Sequence, residues 1–321
     1  MRYFSAEYFS QLWNIASQYI LNNYDYCYLS AMHTKNRVTG AKTIIAGMSY
    51  TRNGIVDANL ADTINFSSSS QDLYYSFQHI KKAVDEGKQK IETCIINIGY
   101  YSLYWDLSYS KHESWKIKST HYPILGKAHH CSIEGVYDRW ENVVYDKNIF
   151  KGNWLREFAC EWAENFFQEE STYYGSLKTR ESDSGLGKIW NALPEDVRRK
   201  VAALRTYDHH RLKVHEHTRQ ENADLLKEIT EYLFQRQITP VFLIMPFTTY
   251  YNELINKEYK EDILSLLEEL PYPVEFLDMN DYLDMFDNNF DFLDDEHLSL
   301  QGALRATDLL SEFLNLIADE K

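Results

Sequence analysis

The sequence predicts an α/β fold built on a five-stranded parallel sheet. Three observations support this: short apolar runs rich in β-branched residues, amphipathic helical stretches between them, and glycine or proline closing the runs. Thr43 to Ala46 is the first run, uncharged after Lys42, as a strand buried on both faces requires. Gly47 permits a tight exit, so Ser49 stands where the strand ends and a helix begins. Ligands of open α/β sheets bind at the carboxyl ends of strands, which makes Ser49 a candidate nucleophile by position. The alternative reading is a hydroxyl that caps the next helix.

Residues 5–22 carry Phe9, Leu12, Trp13, Ile15, Ala16, Ile20 and Leu21 at mostly helical spacing, predicting an amphipathic helix within an N-terminal helical segment, residues 1–40. Asp62 to Phe66 reads as the second strand, and Ser67 to Ser70 as a loop and helix cap. Leu73, Phe77, Ile80 and Val84 fall at steps of three and four, predicting a core-facing helix that ends near Gly87. Glu92 to Ile98 is the third strand, stopped by Gly99. From Tyr101 to His210 the rhythm is lost, with helical patches at 154–167 and 194–204. Long structureless loops are uncommon in compact domains, so residues 101–210 are expected to form a large, mainly helical insertion over the carboxyl edge of the sheet. The pattern resumes with a helix over 214–235, a strand from Pro240 to Met245, a helix from Ile255 to Leu270 and a strand from Pro273 to Leu277. A closing helix from Leu300 to Ile317 follows, with Ser299 as N-cap. Residues 41–100 and 211–321 thus share one α/β domain.

Composition narrows the function. A net charge of −15, from 48 acidic and 33 basic residues among 321, argues against nucleic acid or an anionic membrane as partner. Aromatics at 15%, including 25 Tyr and 7 Trp, predict aromatic-lined grooves suited to sugars or other partly apolar ligands. The first eight residues lack the apolar core of a signal peptide and no run is long enough to span a bilayer, so a cytoplasmic protein is expected. Cys27, Cys94, Cys131 and Cys160 have no paired spacing and read as reduced thiols. His129-His130-Cys131, His209-His210 and His215-x-His217 lack a second cluster at a recognised ligand spacing, so no metal is expected. No phosphate-binding glycine motif occurs, which weighs against kinase, ATPase and dinucleotide readings and leaves no cofactor expected. Composition is silent on oligomeric state.

The second half of a site stands just before the last helix, where Asp294 precedes His297 by three residues. If that turn reaches the edge that carries Ser49, His297 can take the serine proton while Asp294 fixes the ring tautomer. The competing reading is an acidic surface loop, given Asp291, Asp294, Asp295 and Glu296. Both halves in one α/β rhythm favour the catalytic reading. Arg52 and Asn53 either touch a ligand or cap the helix after Ser49. Thr248 and Tyr250, leaving the fourth strand, are pocket walls or core cover.

Gly47-Met48-Ser49 after the first strand and Asp294-x-x-His297 before the last helix resemble the SGNH (GDSL-type) hydrolase superfamily, over residues 42–100 and 214–317. The resemblance implies a flavodoxin-like three-layer α/β/α domain, with Ser49 as nucleophile, His297 as general base and Asp294 as its partner. Within the superfamily it is similar to acyl-transfer and esterase-like proteins of bacterial surface polysaccharides. Three departures stand out. Met48 replaces the acidic neighbour of the serine, Ser67 to Ser70 (Ser68 among them) replace a glycine of the oxyanion hole, and Tyr101 stands where that family has an asparagine donor. Either the hydroxyl of Tyr101 or Ser102 substitutes, or catalysis is weak. The expected function is a serine-dependent esterase or O-acyltransferase acting on an ester, such as O-acetyl, of a sugar or surface-polysaccharide precursor. Alternatives are a degenerate member that binds glycans or a protein partner, and a flavodoxin-like regulatory or ligand-binding domain in which the serine and histidine are unrelated.

Overall fold

The structure, a computed structural model, describes residues 6–135, 138–145, 153–169 and 189–319. In chain order it contains α1 (Ala6–Asn22), α2 (Tyr24–Val38), β1 (Thr43–Ala46), α3 (Ser49–Gly54), β2 (Thr63–Asn65), α4 (Leu73–Glu86) and β3 (Thr93–Asn97). There follow α5 (Tyr122–Leu125), α6 (Trp154–Glu169), α7 (Glu195–Arg211), α8 (Glu216–Gln235), β4 (Thr239–Ile244), α9 (Thr249–Leu254), α10 (Glu258–Glu268), β5 (Glu275–Asp278) and α11 (Leu300–Asp319).

All five strands are parallel and lie in the order β2-β1-β3-β4-β5. This is the flavodoxin-like doubly wound order, whose switch point falls beside β1. Ile44 is level with Ile64 on one side and Cys94 on the other, and Ile44, Ile45 and Ala46 are fully buried. An apolar run without polar alternation forms a central strand because helices cover both faces. Right-handed crossovers set the layers: α2, α4 and α8 pack together on one face, and α3 packs against α11 on the other. The sheet and these helices form the three-layer α/β/α fold.

Local chemistry explains the boundaries. Asp72, rather than the serine run before it, caps α4 by accepting the Tyr75 N–H at 2.9 Å. Ser299 caps α11 as expected, accepting the Gly302 N–H at 3.3 Å. Helix α2 was hidden from periodicity because its buried face includes polar side chains. His33 bonds His79 at 2.9 Å and Asn36 donates to the Ala83 carbonyl at 2.8 Å, so both enter the interior with partners.

The segment expected to form one helical cover divides in two. Helix α6 packs against α1 and α2, with the Trp13 and Trp162 rings meeting edge-on at 4.7 Å. Helix α7 instead packs against α9, beside the carboxyl ends of β3 and β4. Residues 136–137, 146–152 and 170–188 of the expected insertion lie outside the described residues. The four cysteines are free thiols, with Cys27 and Cys94 buried. Among the described residues, no helix is long and apolar enough to cross a membrane.

Candidate active site

Strand β1 delivers its chain to the sheet edge, and Gly47 turns it sharply. A Cβ on Gly47 would come within 2.5 Å of the Asn97 Cβ, so glycine is needed for close approach to β3. Asn97 braces the turn by accepting the Met48 N–H at 3.3 Å, and the Gly47 carbonyl accepts the Ser68 N–H at 3.1 Å. Ser49 is therefore held at the first position of α3, where a helix N–H has no acceptor within the helix.

The other half is a closed loop. Phe292 and Leu298 pair as an antiparallel bridge, Leu293 donates to the His297 carbonyl at 2.8 Å, and Ser299 donates to the Asp291 carbonyl at 2.9 Å. Inside it, Asp294 Oδ1 accepts the N–H groups of Glu296 at 2.9 Å and His297 at 2.7 Å. That local bonding fixes the three-residue offset of carboxylate and imidazole.

The two halves meet. Ser49 Oγ lies 2.9 Å from His297 Nε2 across 248 positions of chain, and His297 Nδ1 lies 2.9 Å from Asp294 Oδ2. Burial raises the Asp294 carboxyl, but the His297 charge, its hydrogen bond and the two backbone N–H groups prevail and hold it at about 2. A permanent carboxylate beside Nδ1 selects the tautomer that leaves Nε2 free to accept from the serine.

Beneath the triad lies a buried polar network that the sequence reading missed. Tyr50 donates its hydroxyl to Glu296 Oε2 at 2.9 Å and meets the Tyr101 hydroxyl at 2.9 Å. The Tyr101 ring stacks on His209 at 3.9 Å, and His209 bonds the Tyr251 hydroxyl at 2.7 Å. Arg205 of α7 reaches Glu296 at 3.1 Å. Burial raises the Glu296 carboxyl even against the Arg205 charge. Asp295, wholly buried, is pushed up to about 7 by burial and by the neighbouring Glu296 and Asp294. Nothing in a run of four acids distinguishes Asp295 and Glu296 from solvated charge. The tight loop turns them inward, and the one available signal was their position between the two candidate site residues.

The remaining candidates separate into frame and pocket. Tyr101 and Ser102 turn their hydroxyls inward rather than to the expected oxyanion: the Tyr101 hydroxyl meets that of Tyr50 and faces Met48 Sδ at 3.7 Å, and Ser102 Oγ accepts the Gly99 N–H at 2.7 Å while its own O–H faces Met48 Sδ at 3.9 Å. The Ser68 hydroxyl is likewise committed, donating to Gln71 at 2.9 Å. Thr248 is no pocket wall but a latch, fully buried and donating to the Asp295 carbonyl at 3.0 Å. Tyr250 is covered by the guanidinium groups of Arg198 and Arg199. Asn53 is buried and accepts from Arg52 Nε at 3.3 Å. Arg52 does reach a pocket. One helical turn after Ser49, it pairs with Asp25 and lines a pocket of about 350 Å³ with Tyr24, Trp115, Lys116 and Arg139.

Comparisons with known proteins add little to this geometry. No protein-family model matches the chain, and no curated protein sequence does. A solved structure described as "a putative platelet activating factor from Streptococcus pneumonia" is similar over 97% of this chain and 100% of its own, with 10% identity and a TM-score of 0.43. The chemistry therefore rests on the residues themselves. A hydroxyl, an imidazole and a carboxylate in hydrogen-bonded series can generate a serine nucleophile and return its proton to a leaving group. The site needs no cofactor for that chemistry.

Proposed function

We propose that the chain is a serine-dependent esterase or O-acyltransferase of SGNH type. The observation that carries the proposal is the continuous Ser49–His297–Asp294 hydrogen-bond series at the carboxyl edge of the sheet. Ser49 Oγ attacks the ester carbonyl as His297 Nε2 takes its proton. His297 then protonates the departing alkoxide, leaving an acyl-serine. Attack by water on that ester completes hydrolysis; attack by an acceptor hydroxyl completes transfer. The Ser49 backbone N–H, at the start of α3, is the donor best placed for the oxyanion.

A carbohydrate ester, such as an O-acetyl group on a sugar or surface-polysaccharide precursor, suits the surroundings. The pocket that Arg52 enters is lined by Tyr24, Trp115, Ser119, Thr120, Lys116 and Arg139, with Asp25 paired to Arg52 and Lys116, a mixed aromatic and polar lining of the kind that takes a hydroxylated ring. A second reading, a silent relative that binds glycans or a protein partner, draws on Tyr101 and Ser102, whose hydroxyls are committed inside the protein.

A fluorophosphonate probe and p-nitrophenyl acetate decide between them. Wild-type protein is expected to be labelled once and to release nitrophenol, and Ser49→Ala to do neither. A folded wild type that does neither overturns the enzymatic proposal in favour of binding alone.

A further inference from the structure

Away from Ser49, four potential metal ligands from three separate segments converge: Asp106 after β3, His129 and His130 after α5, and Glu221 on α8. One donor atom from each can be chosen so that all lie within 4.8 Å of one another. Asp106 Oδ2 is 2.9 Å from His130 Nδ1 and 3.7 Å from His129 Nδ1, while Glu221 Oε1 is 3.1 Å from His129 Nε2 and 3.4 Å from His130 Nε2. Each imidazole meets Asp106 through Nδ1 and Glu221 through Nε2, so a single ion takes one nitrogen of each ring, and the donor set that serves it is the one whose four atoms lie within 4.8 Å of one another.

Three further features single the cluster out. His129 Nδ1 is buried without a hydrogen-bond partner, facing Asp106 at a distance too long for a bond and right for a shared cation. His130 adopts a φ of +46°, a backbone state that non-glycine residues rarely hold, and it keeps the imidazole beside that of its neighbour. The ligands are themselves oriented. Asp106 Oδ1 accepts the Ser108 N–H at 2.7 Å, the His129 N–H donates to the Tyr75 hydroxyl at 3.0 Å, and the Tyr74 ring stacks on His129 at 4.0 Å. His130 and Glu221 are each about one-third exposed, which leaves the cluster open to an ion from solvent.

We propose that Asp106, His129, His130 and Glu221 bind one divalent transition-metal ion of the zinc class. Two imidazoles and two carboxylates suit zinc among the common divalent ions, and two carboxylates match its charge. Four protein ligands make the site structural. The ion joins the segments around Asp106 and His129 to α8, where Asn222, the residue after Glu221, already donates to the carbonyls of Leu103 and Trp105. Sequence spacing hid the site because the adjacent histidines take their other ligands from 24 and 92 positions away. The inference is independent of the ester chemistry.

The test uses the full chain, stripped with chelator and titrated with Zn²⁺ by calorimetry and with Co²⁺ by visible absorption. One equivalent per chain is expected, with the Co²⁺ band of a tetrahedral nitrogen and oxygen site and a raised melting temperature. Glu221→Ala and His130→Gly, the latter suited to the positive φ, should each weaken binding by at least about tenfold. His217→Ala, outside the cluster, and Ser49→Ala should bind as wild type does. If folded wild type takes up neither ion stoichiometrically, the cluster is an ion-paired histidine stack and the proposal is wrong. Equal binding by wild type, Glu221→Ala and His130→Gly would also overturn it.

Discussion

Tyr50 donates a hydrogen bond to Glu296 at 2.9 Å, tying the residue after Ser49 to the residue before His297. The same hydroxyl meets Tyr101, so one buried oxygen links α3, the loop after β3 and the loop before α11. Tyr50→Phe removes that link and leaves Glu296 short of a donor, which costs about 1–3 kcal/mol for a buried polar group. Denaturant unfolding should show the loss. Turnover of a small ester should fall by about tenfold with KM little changed, because the fault lies in the register of Ser49 and His297 rather than in binding. Unchanged turnover in a destabilised variant would make the tie purely structural.

Asp294→Asn keeps the shape of the loop but reverses the imidazole's preference for its tautomer. Asp294 sits at about 2, so it is charged throughout the neutral range and its removal is felt at every working pH. The expected effect is a loss of about 10²–10⁴ in kcat, with thermal stability changed far less, measured by steady-state hydrolysis and melting curves. Equal activity in the variant would remove Asp294 from the mechanism.

Much of this could be read from residues alone, and the limits have physical causes. Strand β1 and the Gly47–Ser49 turn were legible because a charge-free β-branched run followed by glycine has few other uses. Asp294 and His297 were legible as a pair because a three-residue offset can be closed by local backbone bonds. The oxyanion assignment of Tyr101 and Ser102 failed because motif alignment gives position and not side-chain direction; both hydroxyls turn into the protein. Helix α2, the Asp295–Glu296 floor and the four-ligand cluster escaped because each depends on partners distant in sequence that neutralise buried polarity. Hydrophobic periodicity does not register such pairs.

The wholly buried Asp295 makes the fold's stability depend on pH. Its carboxyl stands at about 7 in the folded chain, against about 3.9 when unfolded. A raised carboxyl pKa means that the native state holds the extra proton. Stability from this group is therefore complete below pH about 4 and is lost as pH rises through about 7. Glu296, also raised, acts in the same direction, while Arg205, 3.9 Å from Asp295 and 3.1 Å from Glu296, opposes both. Asp295→Asn keeps the shape without the titration. Urea unfolding at pH 5 and pH 8 should show wild type losing more stability than the variant over that interval, by on the order of 1–4 kcal/mol. Parallel losses in the two proteins would show that Asp295 is charged throughout.

Helix α11 controls the same loop from the other side, through Gly302. A Cβ at this position would lie 2.1 Å from the Asp291 carbonyl oxygen and 2.9 Å from Leu298, so the helix touches the loop backbone with no room for a methyl group. The carbonyl cannot swing away alone, because it accepts the Ser299 N–H at 2.9 Å. Gly302→Ala must therefore displace α11 or the segment from Asp291 to Leu298, which includes His297. Gly→Ala in an exposed helix is stabilising by about 1 kcal/mol, whereas overpacking here costs about 1–3 kcal/mol or more. The clash is with backbone, so net destabilisation is expected. Because the shifted loop carries His297, fluorophosphonate labelling of Ser49 should slow in the folded variant at a temperature well below its melting point. A melting point equal to or above that of wild type would show that α11 and the loop have the freedom to part, and that the helix does not set the position of His297.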